Sequence, residues 1–209
     1  MKIAIFGASG RTGIPLVAQA LAAGHSVQAL VRTPSKFTIQ HPNLTVIQGD
    51  VLNTADVART ISGMDAVMSV LAPVKASPND LLTKAADHIL AAMQQHNVKR
   101  IIYMTGAGVE MPQDQPKLIN HVIKFALKTM AGDVLKQSEL AVAKVTKSDR
   151  EWVIVRGPML TNSAHTGQYR VGWVGVNTGP RLARANAADF MLKQLSGNQY
   201  LGQAPVLSD

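Results

Sequence analysis

The sequence predicts an α/β protein built on a doubly wound parallel sheet, and three observations carry that prediction. Short continuous apolar runs recur along the chain and alternate with segments of helical apolar spacing, the pattern of strands buried on both faces by crossover helices. Three glycines, Gly7, Gly10 and Gly13, fall at the first strand-to-helix transition. The chain has 209 residues of which 46% are hydrophobic, enough for one full core, and no long polar linker or repeat divides it, so residues 1–209 are expected to form a single domain.

Taken in order, Ile3-Ala4-Ile5-Phe6 is too short for a helix and reads as a buried strand. From Thr12 onward, Ile14, Leu16, Val17, Ala20 and Leu21 fit a helix that closes at Gly24. Further strands are predicted at Val27–Val31, Leu44–Ile47, Ala66–Leu71, Arg100–Thr105 and Trp152–Val155. Helices are predicted near 54–61, 80–96, 117–130, 134–148 and 187–195. From Gly157 to Arg184 the chain is richer in Gly, Asn, Thr and Pro, so loops and short strands are expected there. Segments of about 107–133 and 157–184 are the expected substrate-facing parts.

In such a sheet a ligand sits at the carboxyl ends of the strands. A Gly-x-x-Gly-x-x-Gly turn opening a helix suits a diphosphate, because a backbone without Cβ atoms approaches closely and the helix N-terminus offers unpaired N–H groups. A Gly-rich turn that binds nothing has the same composition. The second strand ends in Arg32, where a site preferring NAD carries Asp or Glu for the ribose hydroxyls. An arginine there attracts the 2′-phosphate of NADP(H), with Arg11 and Lys36 adding charge. Asp50, in Gln48-Gly49-Asp50-Val51, either accepts from the adenine amino group or serves as a turn or N-cap aspartate. Leu71-Ala72-Pro73 offers a small apolar wall, and Thr105-Gly106 ends the fifth strand.

Composition narrows the chemistry. The chain contains no cysteine, which removes disulfides, thiolate zinc sites and a cysteine nucleophile. No apolar run approaches membrane-spanning length, and the first strand starts almost at residue 1, so a cytoplasmic protein with no membrane partner is expected. His25, His41, His88 and His96 do not share metal-ligand spacing, no bound metal is expected, and no Ser-His-Asp order supports hydrolysis.

The stretches "GASGRTG", "LVR", "GDV", "MTGAG", "EWVIVRGPMLT" and "TGQY…GPRLARANAADFML" together resemble the atypical short-chain dehydrogenases/reductases with NAD(P)-binding Rossmann folds, in the NmrA-like group. Within it the chain is most similar to the biliverdin-IXβ reductase/flavin reductase family. The resemblance implies that Gly7, Ser9, Gly10, Arg11, Thr12 and Gly13 bind the diphosphate of NADP(H), Arg32 the 2′-phosphate, and Asp50 with Val51 the adenine. It places Leu71, Ala72, Thr105, Pro158, Met159 and Leu160 beside the nicotinamide, and implies a monomer, with a dimer as the alternative.

The departures shape the expected activity. Alcohol-oxidising members carry Tyr-x-x-x-Lys on the helix after the fifth strand, and counting back from "KSDREWVIVR" puts Val134 and Ser138 there. Tyr103 lies inside a strand, as core or pocket wall. Gly106 stands where the flavin reductases have serine, and Met159 where they have histidine, so Thr105, Gly106 and Met159 remain pocket candidates without an assigned catalytic role. A flavin or quinone, whose reduced anion is delocalised, is the expected small-molecule acceptor, helped by backbone N–H groups near Gly106 and Ala107. The other class is a redox sensor that binds NADP(H) without turnover. Lys117, His121, Lys124 and Lys128 share one helical face, with Leu118, Val122, Phe125 and Leu127 on others. At a net charge of +8 that stripe either attracts an anionic ligand or is a solvated face; nucleic acid ranks last, since no stacking aromatics accompany it.

Overall fold

The computed structural model describes residues 1–74 and 76–209, the side chain of Leu127 excepted; the face expected for Leu127 therefore lies outside the described residues. Six strands, β1 (Lys2–Phe6), β2 (Ser26–Val31), β3 (Leu44–Gln48), β4 (Ala66–Ser69), β5 (Arg100–Gly106) and β6 (Glu151–Gly157), are all parallel to their sheet neighbours in the order β3-β2-β1-β4-β5-β6. The order reverses at β1, which opens the crevice beside the glycine turn. This is the Rossmann-type α/β fold that the alternation of apolar runs predicts.

Alternation along each strand divides the core into two layers. Ile3, Ile5, Ala29, Met68, Ile102 and Val153 pack beneath α1 (Gly13–Ala22) and α5 (Arg184–Lys193), with Leu16, Val17, Phe190 and Met191. Ala4, Phe6, Leu30, Val67, Ile101 and Ile154 face the other way, against α2 (Thr54–Ile61), α3 (Leu81–Gln95) and the second half of α4 (Leu118–Lys147). Burial on both faces is why these strands read as continuous apolar runs.

Several boundaries differ from expectation. β4 ends at Ser69 rather than Leu71, which releases Leu71 and Ala72 into a loop at the sheet's carboxyl edge. α5 starts at Arg184, three residues before the predicted 187. The two helices expected at 117–130 and 134–148 follow each other directly in α4, with non-helical geometry at Ala131 (φ −146°, ψ 35°) just before Gly132, the kind of site where helices bend. The late segment forms a two-stranded parallel ladder of β7 (Met159–Thr161) and β9 (Arg181–Ala183), while β8 (Arg170–Gly172) joins the main sheet through β10 (Val206–Ser208). β10 escapes prediction because only three residues pair. Among the described residues no helix is long and apolar enough to cross a membrane.

One charged residue lies in the middle of this apolar frame. The Arg156 side chain on β6 is fully buried, and its Nη1 and Nη2 donate to the two carboxylate oxygens of Asp114 at 2.7 Å each. Nε donates to the Ala204 carbonyl at 2.7 Å and Nη1 also to the Val109 carbonyl at 2.8 Å. Asp114 in turn accepts from the Met111 and Val174 N–H groups. Burial raises the Asp114 carboxyl, but the bonds from Arg156 and the two amides outweigh it, and it titrates below the usual aspartate range.

Removing one member of a buried pair leaves the other uncompensated, at a cost of about 3–5 kcal/mol. Asp114→Ala is accordingly expected to lose stability of that order at pH 7. Because the folded carboxyl is depressed, the pair's contribution is full above the unfolded value of about 3.9 and fades as pH falls through the lower folded value. Urea midpoints for the unmodified chain and for Asp114→Asn should therefore converge on acidification; a gap that stays constant down to about pH 2 contradicts the pairing.

Candidate functional site

The crevice predicted by the strand order is a cleft of about 500 Å³ at the carboxyl edge of β1, β2 and β4. Its floor is the turn from β1 into α1. Gly7 takes a φ of +82°, and a Cβ there would sit 2.9 Å from the Val70 backbone. At Gly13 a Cβ would fall 2.1 Å from the Gly7 carbonyl oxygen, so only glycine lets α1 start this close to the strand. Gly7 and Gly10 close the turn through a Gly10 N–H bond to the Gly7 carbonyl at 2.9 Å. The Thr12 hydroxyl caps nothing, and no acidic residue occupies the first turn of α1. The positive end of that helix is left for an anion from outside the chain.

Of the predicted site residues, the structure brings Gly7, Ser9, Gly10, Arg11, Thr12, Arg32, Asp50, Val51, Leu71, Ala72 and Leu160 to this one cleft. Gly13 lies behind it, as packing. Among the described residues, neither Arg11 nor Arg32 has a carboxylate within ion-pair distance. Asp50 does the turn work left open as an alternative: its Oδ1 accepts from the Leu52 N–H at 2.9 Å. Its own N–H is held by Asp56, at 3.0 Å. Val51 is fixed from behind, its carbonyl 2.9 Å from Nδ1 of His88 on α3.

Other expected positions are not assembled. Thr105, Gly106, Pro158 and Met159 are absent from the cleft wall, and Met159 is 56% exposed on the β7 ladder. Lys36 sits in a short 3-10 turn (Pro34–Lys36), exposed and outside the cleft. The Ala107 N–H, expected to be free for a developing anion, donates to the Gly157 carbonyl at 2.8 Å; strand pairing between β5 and β6 extends one residue further and consumes it. Tyr103 is core, 3% exposed, and burial drives its hydroxyl far above the ordinary tyrosine range.

One residue was missed. Arg184, the first residue of α5, lines the cleft and is held by the Asn162 side chain at 2.7 Å. Desolvation first, and then the nearby Arg11 guanidinium, lower its pKa. A cation at a helix N-terminus and beside another cation opposes both the dipole and like charge. The cleft thus sets three arginines against one carboxylate. The signal was available: arginine stands where a helix start favours an acidic or capping residue.

A second cavity of about 620 Å³ shares Pro73, Val74, Ser77 and Leu81 with the cleft and is closed on its far side by the bend of α4, from Lys128 to Val134, and by Gln137. Val134, at the counted tyrosine position, lines it. At the counted lysine position Ser138 bonds back to the Val134 carbonyl at 2.8 Å. No tyrosine or histidine lines either space among the described residues. The basic stripe divides here: Lys124 pairs with Glu110 at 2.6 Å, Lys128 borders the second cavity, and Lys117 and His121 are exposed.

The model of a family described as NAD(P)H-binding matches residues 7–198. The chain belongs to that family. It is 29% identical over 122 residues to a 3-beta-hydroxysteroid dehydrogenase of Mycolicibacterium neoaurum, covering 53% of this chain and 33% of that one. The chain spans between a third and a half of the length of the curated relatives it matches. Among solved structures, the oxidoreductase ylbE from Lactococcus lactis superposes with a TM-score of 0.81 at 21% identity, over 100% of this chain and 91% of that one. A short-chain dehydrogenase/reductase (wide type) of Veillonella parvula in complex with NADP gives 0.80 at 16%, over 100% and 94%. These likenesses extend to the fold.

A methyl group at Gly13 has no room without moving α1 away from the turn. Gly13→Ala is expected to cost about 1–3 kcal/mol of stability and at least about tenfold in nucleotide affinity, read by thermal melting and by fluorescence titration with NADPH. Unchanged affinity would mean that the glycine turn does not carry the nucleotide.

Proposed function

We propose that the protein is an NADPH-dependent reductase whose acceptor is a small planar molecule with a delocalised reduced form, a flavin or a quinone. The observation that carries this reading is the cleft lined together by Arg11 of the glycine turn, Arg32 after β2 and Arg184 at the start of α5. Gly7, Ser9, Gly10, Arg11 and Thr12, with Arg184 opposite, would hold the diphosphate. Arg32, exposed at the end of β2 with no carboxylate partner among the described residues, would take the 2′-phosphate, and Asp50 with Val51 the adenine side. Leu71, Ala72 and Leu160 would wall the nicotinamide side.

NADPH, when bound, supplies a hydride. The chain's contribution is to hold the two rings and exclude water between them. We assign the second cavity to the acceptor, since it shares the 73–81 wall with the cleft and its size is within the range of small-ligand pockets. With Val134 and Ser138 where tyrosine and lysine would act, no phenol stands ready to protonate a localised alkoxide. An isolated ketone therefore forgoes the roughly 10²–10⁴-fold that general acid catalysis contributes. An isoalloxazine or quinone ring spreads the incoming charge over several heteroatoms, and water supplies the proton.

Two measurements test this. A charge-assisted bond to the 2′-phosphate is worth about 1.5–3 kcal/mol, so NADPH should bind about ten- to a hundred-fold tighter than NADH, and Arg32→Glu should erase or reverse the preference. NADPH oxidation should be faster with a flavin or quinone than with a simple ketone. Ketone reduction outpacing quinone reduction overturns the mechanism, and tight NADPH binding without turnover of any acceptor favours the sensor.

A further inference from the structure

The first half of α4, residues 118–130, stands off the body with its apolar side uncovered. At helical spacing, Leu118, Ile119, Val122, Ile123, Phe125, Ala126 and Met130 form a continuous apolar arc, while Lys117, Asn120, His121, Lys124 and Lys128 occupy the opposite side. Only a narrow part of the polar side meets the body: Lys124 reaches Glu110, and Asn120, which accepts from the Lys117 N–H at 2.8 Å, is half-buried, while Lys117, His121 and Lys128 are exposed. The apolar arc faces solvent, with Leu118 82%, Phe125 71% and Met130 87% exposed.

A segment of this length is marginal as an isolated helix in water, and Ile119, Val122 and Ile123 are β-branched, hence weak helix formers. Its contacts with its own body do not bury its apolar side, so a helix here needs a cover. We propose that the apolar face of residues 118–130 is a self-association surface, on which a second copy of the chain lays the same helix antiparallel.

Three observations favour a second copy. The arc sets six large apolar side chains, 49% to 87% exposed, on one helix face, the apolar kind of surface that the core of a standard interface of about 800 Å² per partner buries. Ala126 and Thr129 are small and lie along the arc, letting two helices approach. Lys117, Lys124 and Lys128 lie off the arc, Lys124 opposite its centre and the other two on its flank, so antiparallel helices can meet along the arc without setting lysine against lysine. Two chains of net charge +8 can therefore meet here. Antiparallel order opposes the two helix dipoles and brings the Lys117 end of one helix beside the Asp133 end of the other.

Because the chain has no cysteine, one introduced thiol reports one position. Phe125→Cys, on the arc and near the middle of the segment, is expected to give a disulfide-linked dimer under mild oxidation, whereas Lys124→Cys, opposite the centre of the arc, gives no covalent dimer. In sedimentation equilibrium the unmodified chain should dimerise reversibly, and Leu118→Glu with Phe125→Glu should weaken the dimer at least about tenfold while circular dichroism and NADPH affinity hold. A chain that remains monomeric up to about 100 μM, or equal cross-linking from both thiols, overturns the proposal. So does binding of the unmodified chain to phosphatidylserine-containing vesicles that the same double substitution abolishes, which assigns the face to a membrane surface.

Discussion

The buried ion pair between Arg156 and Asp114 is the constraint on which the β6 side of the sheet and the loops beside it depend. Arg156 projects from a strand inside the sheet, where a lone guanidinium would be very costly to bury. Its four bonds reach three separate points of the chain: the Ala204 carbonyl before β10, the Val109 carbonyl, and the two oxygens of Asp114. Asp114 then fixes the Met111 and Val174 amides. One side chain thus joins the loop after β5, the hairpin around Val174 and the last strand, and it sets where residues 107–117 leave the body and α4 begins. Apolar packing fills the two core layers but is non-directional; this pair adds direction.

The architecture and the glycine turn were legible because the same physical requirement writes both structure and sequence. Strands covered on two faces must be apolar throughout, and α2 was readable to the residue because Asn53 caps it through the Ala55 and Asp56 amides. The reading weakened wherever the outcome depends on which strand lies beside which. The pairing of Met104, Thr105 and Gly106 with Val155, Arg156 and Gly157 carries the ladder up to the point where free amides were expected. β10 is held by a single register pair to β6 and three to β8, so no run of its own announces it. Arg156 could not be read as buried from a strand of seven residues, since its partner lies 42 positions away.

The helix at 118–130 shows a different limit. Periodicity separates the basic stripe from the apolar positions, but it is silent about which side meets the body. The ordinary assumption turns lysines outward. Here Glu110, at the end of the loop that the buried pair holds in place, draws Lys124 inward, and the apolar side is left facing out. Six large apolar side chains face out together with the other cations of the stripe, and so contiguous an arc is better read as a surface that awaits cover than as a fault of packing.

The nucleotide cleft follows a related logic. Arg11 and Arg184 approach each other without an intervening carboxylate, and Arg184 stands at a helix start where its charge is unfavourable. Each of these arrangements raises the free energy of the empty protein. If the cleft takes the diphosphate as proposed, an anion between the two guanidiniums and the start of α1 would offset each of them, and part of the binding free energy would be relief of repulsion present in the free chain. The same relief stabilises the fold through mass action, by about 2.7 kcal/mol at a ligand concentration a hundred times the dissociation constant. A glycine turn tight enough to exclude even a methyl group, with like charges held around it, is organised for an anion before one arrives, and the cost of that organisation is carried by the apolar core beneath it.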